Sequence, residues 1–292
     1  MAAVTPTTIT MMHGRSSFEK FIRRIPLYIL ILLACLVTLF PIYWMVVSAI
    51  QPVKYSFSFP PPLFPQEINQ QLLANMFTKF PIWNWLGNTI LLAGLTTIIC
   101  TVLTVLGAYI LSAQKWRGKA LFGFLLLVTQ LLPEALIVIP LFAIYQKFGL
   151  RESLPALAFL DAAFVVPIGT WILKNVFDSI PREIYDAALV DGCQPLGVLW
   201  RVMIPIAAPG MVAVGVVSFF YSWNEYLFAS NMIQNKTIWP ASVGMASLRS
   251  MLDTPIDLVL ATGLFFSIFP VLFYMLIQRY VVAGLSAGAV KG

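Results

Sequence analysis

Of the 292 residues, 60% are hydrophobic and only 10% charged, and the mean hydropathy is +0.87. A soluble domain carries about 25% charged residues, so this composition excludes a water-facing globular fold and leaves helices that face lipid or one another. The net charge of +6 needs no nucleic acid to explain it, because basic residues collect at the cytoplasmic ends of membrane spans.

In chain order, a polar segment 1–24 holds His13, the single histidine, which excludes a His-based triad and any site needing two histidines. The first apolar run, 25–50, follows basic residues as a signal peptide would. It is longer than a signal core of roughly 7–15 residues, so it reads as an uncleaved first helix. The connection 51–85 carries Pro60, Pro61, Pro62 and Pro65, which force extended backbone, and ends in Trp83 and Trp85, residue types that anchor at membrane interfaces. Further runs at 86–112, 120–146, 154–177, 206–230 and 258–282 each reach the roughly 20 residues needed to cross hydrocarbon. Pro133, Pro140, Pro167 and Pro270 fall inside these runs, at hinges or at ordinary packing irregularities. Cys35 and Cys100 sit in apolar runs and Cys193 in a charged loop, which fits neither a disulfide framework nor a metal site.

The predicted fold is therefore an all-α membrane protein with six transmembrane helices over 25–282 and a tail at 283–292. An even number of spans puts both termini on one side. Twelve of the 18 basic residues, among them Arg23, Arg24, Arg117, Lys119, Lys174 and Arg182, fall on that side, which makes it cytoplasmic in a plasma or inner membrane. The loop 178–205 is then cytoplasmic as well.

That loop, within the stretch IPREIYDAALVDGCQPLGVLWRVMIPIAAPG at 180–210, is the most patterned part of the chain. Pro181 suits a first helical turn, with Glu183 behind it to complement the helix N-terminus. Ile180, Ile184 and the pair Ala187/Ala188 are predicted to share one face, small enough for a second backbone to come close. Gly192 is a C-terminal stop. Pro195 starts a second helix whose Leu196, Leu199, Trp200 and Met203 form an amphipathic stripe, and Pro205 marks the return to the membrane. By composition alone the loop is equally a solvated connector.

Its spacing, however, resembles the signature E-A-A-x-x-x-G-x(9)-I-x-L-P of permeases from binding-protein-dependent ABC importers. Asp186-Ala187-Ala188, Gly192 and Pro205 fall in register; Asp186 replaces Glu, and Val202 and Ile204 replace Ile and Leu. Asn88-Thr89, Ala108-Tyr109, Pro140-Leu141-Phe142 and Trp223-Asn224-Glu225-Tyr226 look like the sugar-importer subfamily. The tail from Ala283, with Gly284, Ser286, Gly288 and Lys291, resembles the C-terminus of MalG-like permeases. The resemblance implies type I ABC importer architecture with a two-helix coupling loop, in which Glu183, Asp186, Ala187, Ala188, Asp191, Gly192 and Pro205 engage an ATPase and the tail reaches between ATPase subunits.

No G-x-x-x-x-G-K-[ST] phosphate loop is present; Gly118-Lys119 is followed by Ala120. Without it the chain is expected to be a non-enzymatic transport subunit with no cofactor of its own. The resemblance then implies two ABC ATPase subunits that hold ATP and Mg, a second similar permease, an extracytoplasmic solute-binding protein and membrane lipid as partners. Polar groups within spans are costly in lipid and mark candidate pathway positions: Asn88, Gln130 one turn before Glu134 on the same face, Asp161, Tyr221, Asn224 and Glu225. The same groups serve as helix–helix ties, and Asn224 and Glu225 read first as architectural. The expected cargo is a sugar or glycoside, with a polyol or glycerol-phosphate as the alternative. A stand-alone secondary transporter or a polytopic membrane enzyme are the readings from other classes.

Overall fold

A computed structural model describes residues 17–250 and 254–289, with side chains over 24–250 and 254–279. His13 and Lys291 lie outside the described residues. Among the described residues all regular structure is helical. The helices are α1 (Ser17–Ile50), α2 (Val53–Ser56), α3 (Leu72–Lys79), α4 (Ile82–Ser112), α5 (Lys119–Val128), α6 (Glu134–Lys147), α7 (Leu154–Asp178), α8 (Arg182–Val190), α9 (Pro195–Val198), α10 (Ile204–Trp223), α11 (Leu227–Met232), α12 (Ala241–Ser250) and α13 (Ile256–Ala289).

Five of these, with α9 and α10 counted as one continuous run Pro195–Trp223, are long and apolar enough to cross a membrane. The sixth expected span is broken: Lys119–Leu131 and Glu134–Lys147 meet at 99°. Pro133 causes the break. A proline pushes the preceding residue out of the helical region, and Leu132 sits at φ −81, ψ 119. Pro140, Pro167 and Pro270 instead lie inside continuous helices. Two boundaries also differ from expectation. The fifth span ends at Trp223 and not at 230, and α13 stays helical through Gly284, Ser286 and Gly288 to Ala289 instead of ending at 282.

The body is built on α4, α7 and α10, which pack on one another more extensively than any other helices. Glycine–threonine contacts let α4 and α7 approach closely. A Cβ on Gly107 would meet Thr170 Oγ1 at 3.1 Å, and one on Gly169 would meet Thr104 Oγ1 at 2.8 Å and Val214 of α10 at 3.2 Å. Small residues at membrane helix crossings serve this purpose, since close contact there replaces the missing hydrophobic drive. By contrast α1 touches α13 while its apolar side chains remain exposed from Ile25 to Tyr43, with Val47 and Ala49 buried near its end.

At the end of the bundle opposite α8 and α9, α3 and α12 are helices that the residue pattern did not predict. Trp83 is exposed as an interfacial anchor would be, but Trp85 is 3% exposed, buried where Gly244 leaves room for its ring. A second core of Trp85, Trp223, Leu248, Leu258 and Phe266 joins α4, α10, α12 and α13 there.

Because Gly169 is where three helices meet, Gly169→Leu is expected to force them apart. Overpacking of this kind costs about 1–3 kcal/mol, which should appear as a lowered melting midpoint of the purified protein, whereas Gly94→Leu, with open space around it, should leave that midpoint near wild type.

Candidate functional site

The 178–205 segment folds as two helices. Pro181 caps α8 with an extended backbone (φ −54, ψ 135), and Glu183 lies in its first turn. At the other end Gly192 takes φ +87, its N–H donates to Leu189 O at 3.0 Å, and Cys193 N–H donates to Ala188 O at 3.0 Å. These two bonds are a Schellman stop, which a residue with no Cβ makes without strain. A side chain on Gly192 would meet nothing within 4 Å.

One side of the segment is built into the spans. Tyr185, Ala188, Val198, Leu199 and Met203 are buried in the same core as Val105, Tyr109, Ala162 and Leu173. Tyr109 Oη donates to Pro195 O at 2.6 Å and lies 3.3 Å from Tyr185 Oη, while Gln114 Nε2 donates to Tyr185 Oη at 3.3 Å. Arg182 donates to Ala113 O at 3.0 Å, lies 4.7 Å from the Tyr185 ring centre and pairs with Asp186 at 3.4 Å.

The opposite side is exposed and apolar: Val190 is 88% exposed and Leu196 and Trp200 62% each. Two expected faces are therefore split. Ala188 turns inward while Ile184 and Ala187 stay out, and Leu199 and Met203 are buried while Leu196 and Trp200 point away. Pro205 is likewise no turn. The chain runs from α9 through a π turn at Leu199–Met203 into α10, and a widened turn accommodates the amide that Pro205 lacks.

Within the spans, Asp161 of α7 is fully buried. Its Oδ2 accepts from Ser222 Oγ at 2.8 Å, Thr96 Oγ1 of α4 lies 3.1 Å from Ser222 Oγ, and Asp161 Oδ1 has no partner. Beside it Tyr221 Oη donates to Glu134 Oε1 at 2.8 Å, so successive residues of α10 hold α6 and α7. Gln130 does not share a face with Glu134: the Pro133 break separates them, and Gln130 Nε2 donates to Phe164 O at 3.1 Å.

Asn88 donates to Thr237 O and Trp239 O, each at 3.0 Å, tying α4 to the loop between α11 and α12. Glu225 lies beyond the end of α10. Its carboxylate accepts from the N–H groups of Phe228 and Ala229, and its carbonyl accepts from Ser242 Oγ. Asn224 is exposed, with Nδ2 donating to Phe220 O at 2.8 Å. It opens on a cavity of about 310 Å³ between α10, α12 and α13, lined by Phe220, Trp223, Ser242, Phe266 and Ser267. Thr96, Ser222, Ser242 and Ser267 carry no charge and no motif, so only their placement singles them out.

Replacing Asp161 with Ala leaves the buried hydroxyl of Ser222 without its acceptor, a loss of about 1–3 kcal/mol. Thermal unfolding of the purified protein is expected to show that drop for Asp161→Ala and a smaller one for Asp161→Asn, which keeps an acceptor oxygen.

Residues 103–287 match the family described as "Binding-protein-dependent transport system inner membrane component". The chain is 30% identical to the Escherichia coli inner membrane ABC transporter permease protein YcjP, over 94% of this chain and 99% of that one. Against the sulfoquinovosyl glycerol transport system permease protein SmoH of Agrobacterium fabrum the identity is 30%, over 98% and 100%. Against the trehalose/maltose transport system permease protein MalG of Thermococcus litoralis it is 28%, over 94% and 99%. Among solved structures, a bacterial ABC transporter that imports the acidic polysaccharide alginate superimposes with a TM-score of 0.75 at 22% identity, covering 91% of this chain and 99% of that one.

Proposed function

From membership of the binding-protein-dependent transport system inner membrane component family, to which this chain belongs, we propose that it is a permease subunit of an ABC importer that moves a sugar or glycoside inward by alternating access. Two separate ABC ATPase subunits hydrolyse ATP, a second permease completes the pathway, and a solute-binding protein delivers the cargo. The relatives named for trehalose/maltose and for sulfoquinovosyl glycerol support this solute class. The end carrying α8 and α9 is cytoplasmic, as its excess of basic residues requires.

The observation that carries the proposal is the two-sided 178–205 segment. Its inner side belongs to the core of the spans and its outer side presents Val190, Leu196 and Trp200 beside Gly192, with Asp186 and Glu183 exposed on α8. An ATPase that grips the outer side in one nucleotide state more tightly than in the other shifts the equilibrium between two arrangements of the helices. The proposed contacts of the tail residues Gly284, Ser286, Gly288 and Lys291 are with the same ATPase subunits.

The cargo passes the cavity at the far end of α10. Aromatic faces with a few hydrogen-bonding groups suit a neutral, hydroxyl-rich solute, and Phe220 and Trp223 stand there with Asn224 and Ser267. The cavity is open on one side, which supports a second permease as the opposing wall.

Two outcomes are expected in proteoliposomes holding the assembled importer. Gly192→Trp should insert and assemble normally but abolish solute uptake, whereas Gly192→Asn, which tolerates the left-handed backbone, should retain most of it; equal uptake by both variants overturns the coupling role. Asn224→Ala should weaken solute handling about fivefold, the value of one hydrogen bond near 1 kcal/mol, read as a raised KM with ATPase activity intact.

A further inference from the structure

We propose that the cleft between α5 and the cytoplasmic end of α7 is a binding site for an anionic glycerophospholipid. The cleft encloses about 440 Å³ and is lined by Leu111, Trp116, Lys119, Gly123, Trp171 and Lys174, a volume typical of small-molecule sites. It lies where α4 and α7 end and α5 begins, so a headgroup there would be level with the membrane surface.

Three features fit the ligand. The first is charge. Two lysines line the cleft and Lys115 and Arg117 stand exposed on the adjoining loop, against Asp178, which pairs with Lys174 and accepts from Ser112 Oγ at 2.6 Å. Lys119 Nζ donates to Ser112 O at 3.0 Å, which neutralises none of its charge. The first-turn amides of α5, at Lys119 and Ala120, add donors with no carbonyl one turn back in the helix.

The second feature is the pair of indoles. Trp116 Nε1 donates to Ile110 O at 3.2 Å, fixing one wall, and Lys174 Nζ lies 5.4 Å from the Trp171 ring centre. Gly123 leaves the space that the Trp171 ring fills, since a Cβ there would lie 3.2 Å from it. Tryptophan sits at the headgroup level of membranes because its ring is amphipathic. The third feature is the route out. Leu121, Phe124 and Leu125 of α5 are exposed beyond the cleft and offer a track for acyl chains, which a free phosphate would not use. Basic pockets between helices on the cytoplasmic side bind anionic headgroups in this manner.

The inference rests on the membrane-span reading of α4, α5 and α7 and not on the cargo. The test is native mass spectrometry of the detergent-solubilised importer complex, titrated with phosphatidylglycerol, with phosphatidylcholine of the same chains, or with glycerol 3-phosphate. Phosphatidylglycerol should bind preferentially. Lys119→Gln combined with Lys174→Gln should weaken it roughly 30-fold, from about 1 kcal/mol per basic residue, and arginine at both positions should restore it. If the glutamine variant does not assemble, Ala120→Trp fills the cleft with the charges kept and should also remove the adduct. Equal binding of the two lipids, equal binding of glycerol 3-phosphate, or an adduct that survives Ala120→Trp overturns the proposal. A failure of solute uptake alone leaves this readout untouched and bears only on the importer reading.

Discussion

The 178–205 segment has no hydrophobic core of its own, and on the importer reading its mechanical role follows from that. Helices of nine and four residues are too short to be stable alone. Tyr185, Ala188, Leu199 and Met203 gain their burial from the spans, and each large apolar side chain buried there contributes about 1.5–3 kcal/mol. The segment therefore cannot swing free without giving up several such contacts and exposing the Tyr109–Pro195 bond. On the importer reading, a force applied to its exposed side passes to α4, α7 and α10 through these shared core contacts.

Inside the spans the opposite problem arises, since each polar group must find a partner or be lined by water. Most find partners within the chain. Asp161 is met by Ser222, Glu134 by Tyr221, Asn88 by the carbonyls of Thr237 and Trp239, and Glu225 by two amides of α11. These ties hold α4, α6, α7 and α10 together, although Asp161 Oδ1 and Thr170 Oγ1 keep unused hydrogen-bonding capacity. The cavity at Asn224 is different, because its polar groups stand beside aromatic rings on an open face. Under the importer reading, that division separates residues that hold the bundle from those that meet the solute.

How much of this was legible in the residues depended on the range of the signal. The spans declare themselves by length and apolar composition, and the 186–205 spacing identifies the family without any knowledge of packing. The Schellman stop at Gly192 was also local, and it formed as its sequence indicated. The break at Pro133 was not separable from the continuous helices through Pro140, Pro167 and Pro270. A proline disfavours helix at the residue before it at all four positions, yet only at Pro133 does that residue leave the helix. The split of Leu199 and Met203 from Leu196 and Trp200 escaped for a similar reason. A stripe specifies one side of a helix, whereas this helix is gripped on one flank and left open on the other. Gln130 and Glu134 parted because the helical spacing that would align them does not survive the break.

The two candidate regions meet in one rod. At its start α10 emerges without a turn from the coupling segment, through Leu199 and Met203; at its end it carries Trp223 and Asn224 to the cavity. Twenty residues of helix span about 30 Å, so a small tilt about the middle displaces both ends in opposite directions. The middle is where such a tilt finds its pivot. Gly210 sits against the side chain of Val176, where a Cβ would come within 2.8 Å, and the side chain of Val214 packs against Gly169, so a single valine on one side meets bare glycine on the other and the helices lie close there. On the importer reading, opening at the cytoplasmic face and closing at the solute cavity are then two ends of a single movement, and no separate relay between them is required.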